Sequence, residues 1–269
     1  MNILPKPSEG CRKAPSSGIF EIPSRSQPRS SFVNSTAIPP LVLVFGPVDP
    51  TGADGIPADA VTCARLGCHA LAAATALTVQ DTAGIEEIHP VSPELLDDEA
   101  RCVLEDMPIQ GIKIGGLYTA ETASVAAQIA ADYSQVPLVL HLGQRGAPPA
   151  DVASQDDADD LLAATFELLL PQARLAVVEH MRLAQWQADG DIDVSDAPSV
   201  AHALLLGGAQ WVLALGAPLR PGHLHNWLLG PDGATFSWPW QAPPERNGDT
   251  GGVASAAAVY PQTATITLK

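Results

Sequence analysis

Short apolar runs alternate along this chain with longer stretches in which apolar residues recur every three or four positions. The runs are typical of strands buried on both faces of a sheet, and the longer stretches are typical of amphipathic helices. The predicted strands cover residues 41–45, 70–80, 111–115, 137–143, 174–180 and 211–216, with a β-hairpin over 225–238. The predicted helices cover residues 56–67, 90–107, 119–133, 156–170 and 198–206, and a last helix starts near residue 251. This alternation predicts an α/β fold with a mainly parallel sheet and helices on both faces.

The first forty residues differ from the rest because they are rich in Pro, Ser and Arg and show no apolar periodicity. This composition predicts a disordered basic extension over residues 1–39, followed by one domain over residues 40–269. The extension is either a basic binding arm or the product of a start site assigned too early, and we favour the second interpretation.

The charge and composition of the chain limit the classes of partner. With 30 acidic and 14 basic residues it has a formal net charge of -16, which repels nucleic acid and anionic membranes. No apolar run is long enough to span a bilayer, and the N-terminus lacks the apolar core of a secretory signal. The four cysteines do not form the pattern of a disulfide framework and are expected to be reduced. We therefore expect a cytoplasmic protein without nucleic-acid or membrane partners.

Two loops at predicted strand ends have the composition of ligand-binding segments, because ligands of open α/β folds bind at the carboxyl ends of the strands. The first loop contains Asp49, Gly52 and Gly55 and leads into a helix whose N-terminus favours an anion or an acceptor. The second ends in Gln80, whose amide offers both a donor and an acceptor to a heterocycle. A plain tight turn and a solvated glutamine are the alternative interpretations.

A third loop opens the last helix with small residues over 248–257. Several backbone N–H groups can converge there on an anion, which is the arrangement that stabilises a transferring phosphoryl group. The alternative is an ordinary helix start in which Asp249 or Thr250 is the N-cap.

Four segments in this order resemble a known family. PVDPTGADGIPAD (47–59), TALTVQDT (75–82), KIGGL (113–117) and GDTGGVASAA (248–257) are similar to the GSDPSGGAGIQAD, TALTxQNT, KIGML and HGTGCTLSAA motifs of the hydroxymethylpyrimidine/phosphomethylpyrimidine kinases. The resemblance implies a ribokinase-like fold and an ATP- and Mg²⁺-dependent phosphotransferase of thiamin biosynthesis. It also implies a pyrimidine as small-molecule partner and is compatible with a homodimer. Family members continue beyond the last helix, so this chain is expected to be truncated at its C-terminus.

The resemblance assigns a substrate side that the chain retains, formed by Asp49, Gly52, Gly55, Asp59 and Gln80. The helix start formed by Thr250, Gly251 and Gly252 matches the family's anion hole. The family's Cys at this helix start, the proposed base for the substrate hydroxyl, is replaced by Gly252, and Asp249 is the nearest substitute.

Other departures fall on the positions that the family uses for ATP and Mg²⁺. Glu179 stands at an Asn position, Arg182 at a Glu position and Leu215 at a Lys position. Phosphoryl transfer depends on positioning and charge neutralisation, so these changes predict that transfer is impaired or lost. Two hypotheses follow: a hydroxymethylpyrimidine kinase with impaired transfer, and an inactive paralogue that binds a pyrimidine or a partner protein. The residue losses favour the second.

No metal site is predicted from the residues themselves. The acidic run over 156–160 is explained by the dipole at a helix N-terminus, and His223 and His225 have no evident third ligand.

Overall fold

The structure of the protein is a computed structural model, and it describes residues 39–81, 83–143, 155–220, 223–240 and 250–259. Residues 1–38 lie outside this part of the chain, so the expected disorder of the N-terminal extension stays a prediction.

Nine strands form a single sheet within the described residues. They are β1 (Leu41–Val48), β2 (His69–Gln80), β3 (Ile85–Pro90), β4 (Gly111–Ile114), β5 (Leu138–His141), β6 (Leu175–Glu179), β7 (Val212–Arg220), β8 (His223–Leu229) and β9 (Thr235–Trp240). The α-helices of the same residues are α1 (Gly55–Arg65), α2 (Pro93–Asp106), α3 (Ala120–Asp132), α4 (Gln155–Ala164), α5 (His180–Asp189), α6 (Val200–Leu206) and α7 (Thr250–Val259). A π-helical turn (Thr165–Leu169) continues α4.

The carboxyl end of β1 lies at the topological switch point of the sheet, where the strands that follow in sequence lie on opposite sides of β1. The order is β3-β2-β1-β4-β5-β6-β7-β8-β9, with parallel pairing from β2 to β7 and antiparallel pairing at both edges. The chain leaves β1 towards β2 on one side and returns to β4 on the other. Ligands of open α/β sheets bind in the crevice outside the strands at such a point.

Helices cover both faces of the sheet, as the sequence predicts. Along β1, Leu43 and Phe45 pack in a large apolar cluster with residues of α2 and α3. Val42 and Val44 point to the opposite face and pack in a second cluster, which includes residues of α1 and α7. None of the described helices is both long and apolar enough to cross a membrane.

The helix predicted over residues 90–107 starts later than expected. Residues 85–90 form the edge strand β3, antiparallel to β2, and α2 begins at Pro93. Ser92 sets this boundary because its hydroxyl accepts a hydrogen bond from the Leu95 N–H (3.3 Å), and proline is favoured in the first turn of a helix.

Helix α5 was missed by the sequence analysis. It buries Leu183 and Trp186 on one face and ends at Gly190, whose φ of 83° gives the left-handed conformation typical of a helix C-terminus.

Candidate active site

The loop between β1 and α1 is shaped by the carboxylate of Asp49, which is 2% exposed. This carboxylate accepts hydrogen bonds from the backbone N–H groups of Thr51 (2.7 Å), Ala53 (3.2 Å) and Asp54 (2.9 Å). It also accepts one from the Thr51 hydroxyl (2.8 Å). A side chain that sequence reasoning assigned to the substrate therefore organises its own loop at the carboxyl end of β1.

Two glycines allow the turns of this loop. Gly52 and Gly55 have φ values of +69° and +61°, in the left-handed region that favours glycine. A Cβ on Gly55 would lie 2.2 Å from the carbonyl oxygen of Pro47, whereas open space surrounds Gly52. The close approach of two backbone segments thus requires glycine at position 55 but not at position 52.

An ion pair lies inside the protein next to this loop. The Nζ of Lys113 on β4 is 2.5 Å from both carboxylate oxygens of Asp59 on α1, and each side chain is 2% exposed. Buried charges are costly unless they are paired, so the two residues depend on one another. Sequence reasoning placed Asp59 on the substrate side and missed Lys113 as a site residue. The available signal was a lysine within an otherwise apolar strand.

His141 ends β5 beside this ion pair and is also buried. Burial, followed by the positive charge of Lys113, lowers the pKa of its imidazole to about 3, although the Asp54 carboxylate acts in the opposite direction. His141 is therefore neutral at pH 7 and brings no positive charge to a phosphate.

The first turn of α7 meets the β1–α1 loop. A Cβ on Gly252 would lie 2.5 Å from Oδ1 of Asp54 and 3.9 Å from Cε1 of His141. The proposed anion hole, residues 250–252, forms the start of this helix. Asp249 lies outside the described residues, so its role as a substitute base stays a prediction.

These elements converge on a small cavity of about 30 Å³, which has room for a water molecule. Four of the predicted substrate residues line it, namely Asp49, Gly55, Asp59 and Gln80, and Gly52 does not. The other polar side chains of its lining are those of Asp54, Lys113, Tyr118 and His141. A six-membered ring needs more space than this cavity offers.

A larger cavity of about 280 Å³ adjoins the small one, and both are lined by Gly115, Tyr118, His141 and Gly143. Helices α4 and α5 contribute the carboxylates of Asp157, Asp159 and Asp189 to its wall, and Asp191, just after α5, adds a fourth. Arg182 also lines it, donates a hydrogen bond to Gln185 (3.1 Å) and lies 5.9 Å from the ring centre of Trp186. The predominance of carboxylates opposes a phosphate chain in this cavity.

Two of the positions that the resemblance assigns to ATP are paired across neighbouring strands. Glu179 ends β6, and its cross-strand partner Leu215 lies within β7. Leu215 is 4% exposed and packs in the second apolar cluster, so this position provides no cation. Among the described residues, no group of three or more His, Cys, Asp or Glu side chains is arranged to hold a metal ion.

Comparisons with known proteins identify a family of kinases. The family model of phosphomethylpyrimidine kinase matches residues 49–266. The chain is 36% identical over 192 residues to the hydroxymethylpyrimidine/phosphomethylpyrimidine kinase of Mycobacterium tuberculosis. This alignment covers 68% of the chain and 65% of the length of that relative.

Solved structures of kinases share the fold. The phosphomethylpyrimidine kinase of Clostridium difficile superposes with a TM-score of 0.64 at 20% identity, over 82% of this chain and 90% of that one. The pyridoxal kinase of Staphylococcus aureus, in complex with AMP-PCP and pyridoxal, superposes with a TM-score of 0.68 at 18% identity, over 84% and 81%. These likenesses confirm the predicted ribokinase-like fold.

Proposed function

Because this chain belongs to the phosphomethylpyrimidine kinase family, we propose that it transfers the terminal phosphoryl group of ATP to the hydroxyl of hydroxymethylpyrimidine or of its monophosphate. The observation that supports this most directly is the meeting of α7 with the β1–α1 loop at Gly252 and Asp54. The first backbone N–H groups of a helix favour an anion, and here they start beside the cavity lined by the retained substrate residues.

Gln80 is the residue proposed to recognise the pyrimidine. It is half-buried at the end of β2 and lines the small cavity together with Gly55 and Asp59. Its amide can donate to one ring atom and accept from an exocyclic group, which matches the edge of an aminopyrimidine.

The proposed transfer is slow because the site is poor in positive charge. Leu215 is buried in the core, His141 is neutral at pH 7, and Arg182 is held by Gln185 and Trp186 among carboxylates. Lys113, the cation at the small cavity, is already paired with Asp59. The start of α7 remains to stabilise the charge that develops on the transferring phosphoryl group, and the neighbouring Asp54 carboxylate weakens this effect.

Mg²⁺ accompanies ATP in the family by resemblance, and the described side chains include no group of three or more His, Cys, Asp or Glu that would hold it without the phosphates of ATP.

A second candidate function is a pyrimidine-binding protein without turnover. The burial of Leu215 and the carboxylate-lined cavity favour it, because both weaken ATP binding while the Gln80 side is retained.

One experiment separates the two functions. The full chain is incubated with ATP and hydroxymethylpyrimidine, and the product is identified by mass spectrometry. We expect the phosphorylated pyrimidine and ADP in equal amounts. Pyrimidine binding by calorimetry without any phosphorylated product would favour the binding protein.

A further inference from the structure

Asp54 has an unusual position for a residue at the start of a helix. It stands directly before α1, yet its side chain does not cap that helix. Its backbone N–H donates to the Asp49 carboxylate (2.9 Å), which fixes the residue in the loop. The carboxylate instead reaches the first turn of α7, where Oδ1 lies 2.5 Å from the place of a Cβ on Gly252.

The side chain of Asp54 occupies space that a side chain on residue 252 would need. A Cβ at 2.5 Å from a carboxylate oxygen is a steric overlap, so glycine at position 252 leaves Asp54 in its place. In the motifs quoted above, alanine precedes the glycine that matches Gly55, and cysteine stands at position 252. This chain has a carboxylate in place of the alanine and glycine in place of the cysteine. The two changes are reciprocal, because the Asp54 oxygen lies where a side chain on residue 252 would project.

We propose, resting on the proposed function, that Asp54 is the catalytic residue that accepts the proton of the substrate hydroxyl. The hydroxymethyl oxygen forms a bond to the terminal phosphorus of ATP while the bond from that phosphorus to the ADP oxygen breaks. ADP leaves with the electron pair of the broken bond. The hydroxyl proton passes to the Asp54 carboxylate and from there to water.

Two neighbouring side chains are unsuited to this role. His141 is a weak base, because burial lowers its pKa to about 3. Burial, followed by the charges of Asp54 and Asp49, raises the pKa of Tyr118, so its phenol stays protonated.

The test compares turnover of hydroxymethylpyrimidine by the wild type, Asp54→Asn, Asp54→Ala and the double variant Asp54→Ala/Gly252→Cys. A positioned general base contributes about 10²–10⁴-fold, so kcat of both single variants should fall by that factor. The double variant should exceed Asp54→Ala, because the new side chain at 252 then has room. Asp98→Asn, an exposed change on α2, is the matched control and should keep the wild-type kcat.

Calorimetric titration with the pyrimidine and thermal melting verify that the variants fold. A wild-type kcat retained by Asp54→Asn would overturn the role of Asp54 and leave the proposed function standing. Faster turnover by Asp54→Ala would also overturn it, because the carboxylate would then obstruct the phosphoryl group. Absence of product with the wild type would overturn the role and the proposed function together.

Discussion

The ammonium of Lys113 and the carboxylate of Asp59 join β4 to α1 inside the protein, with Nζ 2.5 Å from both carboxylate oxygens. Both side chains are almost fully buried, so each charge depends on the other for compensation. This pair lies at the switch between β1 and β4, where the small cavity opens.

Lys113→Met is expected to lower the free energy of unfolding by about 3–5 kcal/mol, because it removes the counterion of a buried carboxylate. Urea denaturation measures this loss. The control is Arg101→Met, which removes more exposed ion pairs to Asp97 and Asp132 and should cost less than about 1 kcal/mol. Equal losses of unfolding free energy in the two variants would show that the buried ion pair stabilises the protein no more than the exposed ones.

Acid should destabilise the protein partly through His141. Its pKa is about 3 in the folded protein and near 6.5 in the unfolded chain, so only the unfolded chain binds this proton between those values. Stability therefore falls as the pH decreases through this window, by up to about 1.4 kcal/mol per pH unit. His141→Gln should reduce the slope of unfolding free energy against pH by this amount between about pH 4 and 6. Identical slopes for wild type and variant would contradict the buried neutral imidazole.

Gln80→Ala should weaken binding of hydroxymethylpyrimidine by about 5–30-fold, since it removes hydrogen bonds worth about 1–2 kcal/mol. The neighbouring change Val79→Ala removes an exposed side chain, which is not part of the cavity lining, and should leave the affinity unchanged. Calorimetric titration compares the dissociation constants. The same affinity for Gln80→Ala and wild type would show that the pyrimidine does not bind next to Gln80.

Glycine substitutions in the β1–α1 loop should differ in cost. Gly52→Ala meets open space and has only the left-handed backbone to oppose it, a cost of about 1–2 kcal/mol. Gly55→Ala adds an overlap with the Pro47 carbonyl and should destabilise the protein more. Chemical denaturation measures the free energy of unfolding of both variants. Equal losses of this free energy would refute the close approach at Gly55.

The layers of the fold and much of the candidate site could be predicted from the sequence. Continuous apolar runs predicted the parallel strands, and the motif around Asp49 predicted a loop that lines the cavity. The edge strand β3 was missed because Ile88 is its single buried residue, which leaves little alternation to detect. Helix α5 was missed although Leu183 and Trp186 have helical spacing before Gly190.

The contacts inside the site could not be predicted, because they join residues far apart in the chain. Neither local periodicity nor motif spacing indicates that Lys113 pairs with Asp59. The same holds for the contact between Asp54 and Gly252, which depends on how α7 packs against the β1–α1 loop.

We propose that the protein is a kinase of its family whose site has little positive charge. The most direct measurement is steady-state turnover of hydroxymethylpyrimidine with ATP, side by side with the Mycobacterium tuberculosis relative. Loss of one group that stabilises transition-state charge typically lowers kcat by ~10²–10³, so we expect product at a kcat at least about 100-fold below that of the relative. A kcat equal to that of the relative would contradict the effect of the lost charges, and absence of phosphorylated product would contradict the kinase itself.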